Sequence, residues 1–366
     1  MRKIIALLVV LMLAFVATPS IIAEEPEVTY NDTHNRTPGI MTYVTVNQGA
    51  GHAPWIKCKW ETTFPADALT HYEDDDMVAA GIQIDPILES TKTVYYYALV
   101  TDYEGVGGVE KVYADVFHPD GQFKYQFELE HQLDTATSIA IFEEVYANNP
   151  SIMQFSEIDP YGFFTDYDEA HEEIVQGEAF IWWGQNDLSY CQPAGLYEVR
   201  VTARDIGNLW ATDLTNHFWY VPTIGVTYDF IDVQYGEAIV DVEKQLGGDY
   251  DMGTPSEPTV RNIGNVPIKF NITQDDMGFG LTGTDWNVMY GARLGNAIDG
   301  TKVEYYPEEL ALLVDVLPLC TLEKMDFFIT IYKAPLTSYS GEMTIGAMMD
   351  GDPAVAPYIT PSQFVQ

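Results

Sequence analysis

SEPTVRNIGNVPIKFNITQDDM, residues 256–277, holds two strands and the turn between them. In its second half Val266, Ile268, Phe270 and Ile272 alternate with Pro267, Lys269, Asn271 and Thr273. A period of two is the pattern of a strand with one face on a core and the other in water. Asn262, Gly264 and Asn265 tolerate the backbone angles that turn one strand into the next. The stretch speaks for β-structure and offers no catalytic group.

Working outward, similar short segments recur every 10 to 15 residues or so, roughly as all-β chains show. Strands are expected over 78–84, 93–101, 109–118, 122–130, 178–183 and 195–203. A second set is expected over 223–233, 237–242, 258–262, 266–273, 287–294, 326–333 and 341–347. His118-Pro-Asp-Gly121 reads as a hairpin turn, with Pro119 presetting φ and Gly121 taking the left-handed position. Residues 134–176 break the pattern and read as a helical excursion. There Ile139, Phe142 and Tyr146 fall at helical spacing behind Thr137 or Ser138 as cap, and Asp166 and Gly177 bracket a second helix. A boundary is expected near 220–223, dividing 51–222 from 223–366.

The chain starts with Arg2, Lys3 and an apolar run over residues 4–16, the layout of a secretory signal peptide over 1–23. Residues 24–50 read as an extended N-terminal arm, in which Met41, Tyr43, Val44 and Val46 are a candidate assembly strand. The formal charge is −38, and −40 once Arg2 and Lys3 leave with the leader. That field repels nucleic acid and anionic membrane. Identical copies would also repel one another unless cations or apolar contacts offset the charge. Bound divalent metal and a salt-adapted surface are both open readings. Of the three cysteines, Cys58 and Cys191 form the candidate disulfide, leaving Cys320 alone as a small buried hydrophobe.

The segments over 94–130, GEAFIWW (177–183) and CQPAGLYEVRVTARDIGN (191–208) resemble immunoglobulin-like modules of secreted archaeal surface proteins, methanogen-type ones above all. The points of likeness are a V-x-D-x-x-G turn at residues 100–105 and a P-x-G-x-Y-x-V-x-V-x-A-x-D strand at 193–205. The N-x-G-N-V-P-I turn at 262–268, followed by WNVMYGARL and PLCTLEKMDFFITIYKA, resembles the module that often follows. The resemblance implies an all-β fold of two immunoglobulin-like β-sandwich domains in tandem; the helical insertion read in the first, and the arm at 24–50, are not part of that pattern. It also implies a component of a filament, sheath or surface layer, with no catalytic residues.

Chemistry is sparse. G-x-S-x-G, HExxH, the P-loop and the dinucleotide fingerprint are absent, and the seven histidines are scattered. Calcium suits the oxygen-rich turns best. Asp102 and Glu104 in one turn and Asp205 and Asn208 in another are the candidate ligands, set against solvated turns whose Asp residues cap their own backbone. Residues 73–76 and Asp249 with Asp251 are further acidic clusters. Asn31, Asn35 and Asn271 head glycosylation sequons. Tyr95-Tyr96-Tyr97 and Trp182-Trp183 invite a sugar-platform reading, but neighbours in a strand face opposite ways, so one of each pair is expected in the core. The expected function is a non-enzymatic, self-associating subunit of an extracellular surface assembly. Its partners would be copies of itself, other envelope proteins or glycans, and cations would assist. The alternatives are a secreted adhesin or glycan-binding module, and an envelope hydrolase.

Overall fold

The computed structural model describes residues 51–63, 82–157 and 165–351. The leader, the arm with Met41, Tyr43, Val44 and Val46, the sequons at Asn31 and Asn35 and the acidic run at 73–76 lie outside the described residues. Among the described residues the fold is all-β apart from two α-helices and two short 3-10 turns, and the buried hydrophobic residues gather in two separate clusters.

The first cluster is built from β1 (Trp55–Thr62), β2 (Thr91–Thr101), β3 (Val109–Phe117), β4 (Phe123–Glu128), helix α1 (Thr135–Asn148), helix α2 (Tyr167–Gln176), β5 (Ala179–Ser189), β6 (Gly195–Asp205) and β7 (Leu214–Tyr220). One sheet runs β5-β2-β1 and is flanked by the two-residue strands His131–Gln132 and Gln154–Phe155. The other runs β7-β6-β3-β4, with Gln83–Ile84 beside β7. The 195–203 segment alternates as expected because β6 is a middle strand with only one face on the core.

The helices form a third layer over the outer face of the first sheet. Phe142 of α1 lies 6.4 Å from Trp60 of β1, and Lys57 of β1 reaches Glu169 and Glu173 of α2. On the other face, Tyr96 meets Phe127 of β4 edge-on at 4.9 Å. A sheet covered on both sides buries both parities, so Tyr96 and Tyr97 are both fully buried, beyond the one expected. Asp134, instead of Thr137 or Ser138, caps α1 by accepting from the Thr137 N–H. The buried face of α1 is Ser138, Ile141, Phe142 and Val145, with Tyr146 exposed. Helix α2 runs as read, from the Asp166 cap to Gly177 in the left-handed conformation.

The second cluster comes from β8 (Val226–Tyr228), β9 (Lys244–Leu246), β10 (Thr259–Asn262), β11 (Ile268–Gln274), β12 (Val288–Leu294), β13 (Val303–Tyr305), β14 (Leu322–Ile331) and β15 (Met343–Met349). One sheet has the order β8-β10-β14-β12-β13, with β9 also beside β14; the other is Ala311–Leu312, β11, β15. Strand β11 alternates as its sequence says, with Ile268, Phe270 and Ile272 inside. The expected strand at 237–242 does not form. Ile239, Val240 and Val242 are exposed there and Asp241 takes a left-handed φ of 59°.

The turn at 262–265 is where the two sandwiches join. The Asn265 side chain accepts from the Thr223 N–H at 2.7 Å and donates to the Val221 carbonyl at 2.9 Å. Its backbone carbonyl accepts from Ala194 N–H at 3.0 Å. A Cβ on Gly264 would meet the Thr223 carbonyl at 2.3 Å, so only glycine lets the linker pass. A disulfide between Cys191 and Cys320, Cα atoms 5.1 Å apart, closes the same junction. This corrects the expected Cys58–Cys191 pairing. Cys58 is a free thiol buried in β1, whereas Cys191 lies in the loop after β5 that faces the second sandwich.

Candidate functional sites

Four places gather polar or apolar groups beyond what packing requires. The first is the pair of turns that follow β2 and β6. The Ile206 N–H donates to the Gly108 carbonyl at 2.9 Å and holds the turns together. Asp102 and Asp205 are both buried, and each folds one oxygen onto its own turn: Asp102 accepts from the Glu104 N–H at 2.9 Å, Asp205 from the Leu209 N–H at 2.6 Å. The second oxygen of Asp102 is buried without a hydrogen-bond donor. A methyl built on Gly51 would sit 3.2 Å from Asp205 Oδ2 and 3.9 Å from Glu104 Oε2, which places both carboxylates around one gap. Glu104 also accepts from His52 Nδ1 at 2.9 Å.

Burial, then the neighbouring Glu104 and Asp205, pushes the Asp102 carboxyl up to about 6. Burial alone would raise Glu104 too, but hydrogen bonds from His52 and Asp102 bring it below the usual range. Asn208 stands apart. It is the left-handed turn residue, φ 66°, and its carboxamide oxygen accepts from Arg204. Asp102, Glu104 and Asp205 are thus brought together and Asn208 is not. Among the described residues no three His, Cys, Asp or Glu side chains are grouped as ligands of a single ion, so a cation here would also need backbone or water oxygens.

The second place was not legible in the sequence. Between the two sheets of the first sandwich, Lys59 and Glu61 of β1 are fully buried and meet the buried Asn216 of β7. Lys59 Nζ donates to Glu61 Oε1 at 2.6 Å and to the Val199 carbonyl at 3.3 Å, and it contacts Asn216 Oδ1. Asn216 Nδ2 donates to Glu61 Oε2 at 2.6 Å. Burial lowers the Lys59 ammonium below its ordinary range despite the opposing pull of Glu61. No strand was expected over 55–62 because Lys57, Lys59 and Glu61 obscure the apolar pattern.

The third is an open groove of about 1150 Å³ at one side of the second sandwich. Phe230, Phe279, Ile329, Ile331, Met343 and Ile345 line it, and Ile239 and Leu336 stand exposed on its rim. Strand β15 borders the groove and is the last strand of its sheet among the described residues. The fourth is a cleft of about 600 Å³ lined by Trp286, Tyr306 and Tyr332 together with Asp285, Asn287 and Lys333. The aromatic runs singled out in the sequence lie elsewhere, with Tyr95, Trp182 and Trp183 packed partly buried against the first core.

Asn271, the remaining sequon, sits on the outward face of β11, where its carboxamide occupies the space left by Gly346 of β15. Asp249 and Asp251 are turn residues that accept from backbone N–H groups of their own loop. No helix among the described residues is long and apolar enough to cross a membrane.

No protein-family model matches the chain, and no curated protein does. Among solved structures, the C-terminal domain of the Streptococcus pyogenes antigen I/II-family protein AspA aligns over 81% of this chain and 95% of its own, at 13% identity and a TM-score of 0.20. The C-terminal domain of the Streptococcus agalactiae antigen I/II polypeptide BspA aligns over 82% and 96%, at 12% and 0.20. A chain of the CsuC–CsuE chaperone–tip adhesion subunit complex of Acinetobacter baumannii aligns over 74% and 99%, at 10% and 0.25. Likenesses of that size carry no argument about function, and the sites are read from their own chemistry.

Proposed function

We propose that the protein is a structural subunit of an extracellular surface assembly, a filament, sheath or surface layer. Copies would join when the arm of one adds a strand to the second sandwich of the next. The groove beside β15 supports this reading. An edge strand offers unpaired backbone groups, and the apolar lining next to it accepts every second side chain of an added strand. Residues 40–46, IMTYVTV, are rich in β-prone residues and include the candidate assembly positions Met41, Tyr43, Val44 and Val46. A head-to-tail contact of this kind propagates without closing. Cations held between copies, or at the Asp102, Glu104 and Asp205 turns, would offset the strong negative charge of each copy.

The test is electron microscopy of the mature protein beside a variant lacking residues 24–50. Ordered polymers are expected from the first and monomers from the second. Polymers that persist without the arm, or an arm that fills the groove of its own chain, would overturn the exchange.

A second reading, glycan binding, rests on the cleft at Trp286, Tyr306 and Tyr332. Aromatic faces beside carboxylate and amide groups suit the stacking and hydrogen bonding of a sugar ring. A glycan-array signal from monomeric protein, lost in Tyr306→Ala, would favour it.

A further inference from the structure

The Lys59, Glu61 and Asn216 cluster departs from an ordinary buried ion pair in three ways. The amine touches a carboxamide as well as a carboxylate. Both oxygens of that one carboxylate are engaged, one by the amine and the other by the carboxamide nitrogen, each at 2.6 Å. All three groups lie between the sheets of the sandwich, away from bulk water. A nucleophile, an acyl group and a proton carrier are therefore held together in a dry site, the arrangement that amide exchange needs.

We propose that Lys59 and Asn216 form an intramolecular isopeptide bond, with Glu61 as the catalytic acid–base. In the dry core the ammonium of Lys59 passes a proton to Glu61, because a neutral amine and a neutral acid cost less there than two charges. The Nζ lone pair then attacks Cγ of Asn216, forming the new C–N bond and moving the carbonyl π pair onto Oδ1. Glu61 gives its proton to Nδ2 and takes one from Nζ. The carbonyl re-forms as the Cγ–Nδ2 bond breaks, and ammonia leaves. The products are a secondary amide, a protonated Glu61 and one ammonia, so atoms and charge balance and no oxidant or energy source is consumed. The lowered basicity of Lys59 agrees with this route.

The bond would staple one sheet to the other. It joins β1 to β7 across 157 residues of sequence, enclosing both helices and every other strand of the first sandwich. Pulling on the chain outside residues 59 and 216 could not extend the segment between them, which suits a subunit that bears load.

The test is a peptide map of the full mature chain, denatured and reduced. The expected result is a branched peptide joining Lys59 to Asn216, lighter than its two parts by one ammonia, about 17 Da, as loss of the amide nitrogen to an amine nucleophile requires. Glu61→Gln should give the two peptides separately and at full mass. Unjoined Lys59 and Asn216 peptides from the wild-type chain overturn the bond, and that holds for ammonia loss at Asn216 alone, which is imide formation. A branched peptide from refolded Glu61→Gln overturns the role of Glu61. If that variant does not fold, Asn216→Ala serves as the unjoined control and the wild-type map still decides the bond.

Discussion

In the first sandwich the side chains of Lys59 and Glu61 are 0% and 1% exposed. In the second, Asp326 is equally buried, but its partners Arg293 and Lys324 reach the surface at 11% and 18%. Asp326 accepts from Arg293 Nε at 3.1 Å, the Gly248 N–H at 2.9 Å and Gln245 at 3.2 Å, and so ties β14 to β12 and to the loop after β9. Water can reach the far side of that cluster and solvate its cations, so it behaves as an anchor rooted at the surface. Around Lys59 no such relief exists. Charge there persists only while every partner is in place, and the same isolation lets the groups react with one another. One sandwich is thus closed at its centre and roofed by helices, whereas the other is smaller and open along β15.

The sharpest way to break this contrast is to remove one partner from each cluster. Glu61→Ala removes the acid–base that the Lys59–Asn216 bond needs and leaves the Lys59 ammonium in the core without its counter-charge. A loss of about 3–5 kcal/mol is expected for breaking a buried pair, read by denaturant titration of the first sandwich. A loss under about 1 kcal/mol would mean that water reaches the site after all. The junction comes next. Cys320→Ser opens the link to Cys191 across 129 residues, and about 2–4 kcal/mol should be lost. Calorimetry should then resolve the two sandwiches as separate transitions where the wild type shows them coupled. Asp326→Ala should cost less, about 2–3 kcal/mol, because Arg293 and Lys324 can turn to solvent while the Gly248 N–H loses its acceptor. If Asp326→Ala proves more damaging than Glu61→Ala, the closed and open descriptions are reversed.

The same contrast explains what the sequence could reveal. Strand β11 was legible because its sheet is covered on one face only, so burial and alternation coincide. The turns bearing Asp102 and Asp205 were legible because their local pattern fixes them, and they do meet at one end of the sandwich. Strand β1 was not. It is buried on both faces, carries three charged residues in eight and has a bulge between Ile56 and Cys58. The bulge sends Lys57 towards α2 and Lys59 towards β6 and β7, although residues two apart in a regular strand share a face. Nothing local announces such a bulge, and Asn216 lies in another sheet. The Cys191–Cys320 pairing was hidden for a related reason, since it depends on how the sandwiches meet and not on either pattern alone.

The smallest expected effect lies at the Asp102 turns. Burial and the nearby Glu104 and Asp205 raise Asp102 to about 6 in the folded chain, above the ordinary carboxylate near 4. A raised carboxyl favours the folded state in its protonated form. Its contribution is therefore most favourable below about pH 4, falls as pH rises from there through 6, and is constant above. A cation can replace the proton only in the upper range, where the carboxylates are charged. Calcium should then stabilise the wild type at pH 7.5 but not at pH 4.5, by about 1 kcal/mol when the ion is a few-fold above its Kd, read as a rise in melting temperature. Asp102→Asn keeps the shape and removes the charge, so the wild-type-minus-variant difference should lose its slope between pH 4 and 6 and the calcium increment should vanish. A calcium increment that survives in Asp102→Asn would move the ion to other carboxylates of this acidic surface. A flat difference curve would mean that Asp102 is better hydrated than its burial indicates, and the end of the sandwich would then be as open to water as the groove beside β15.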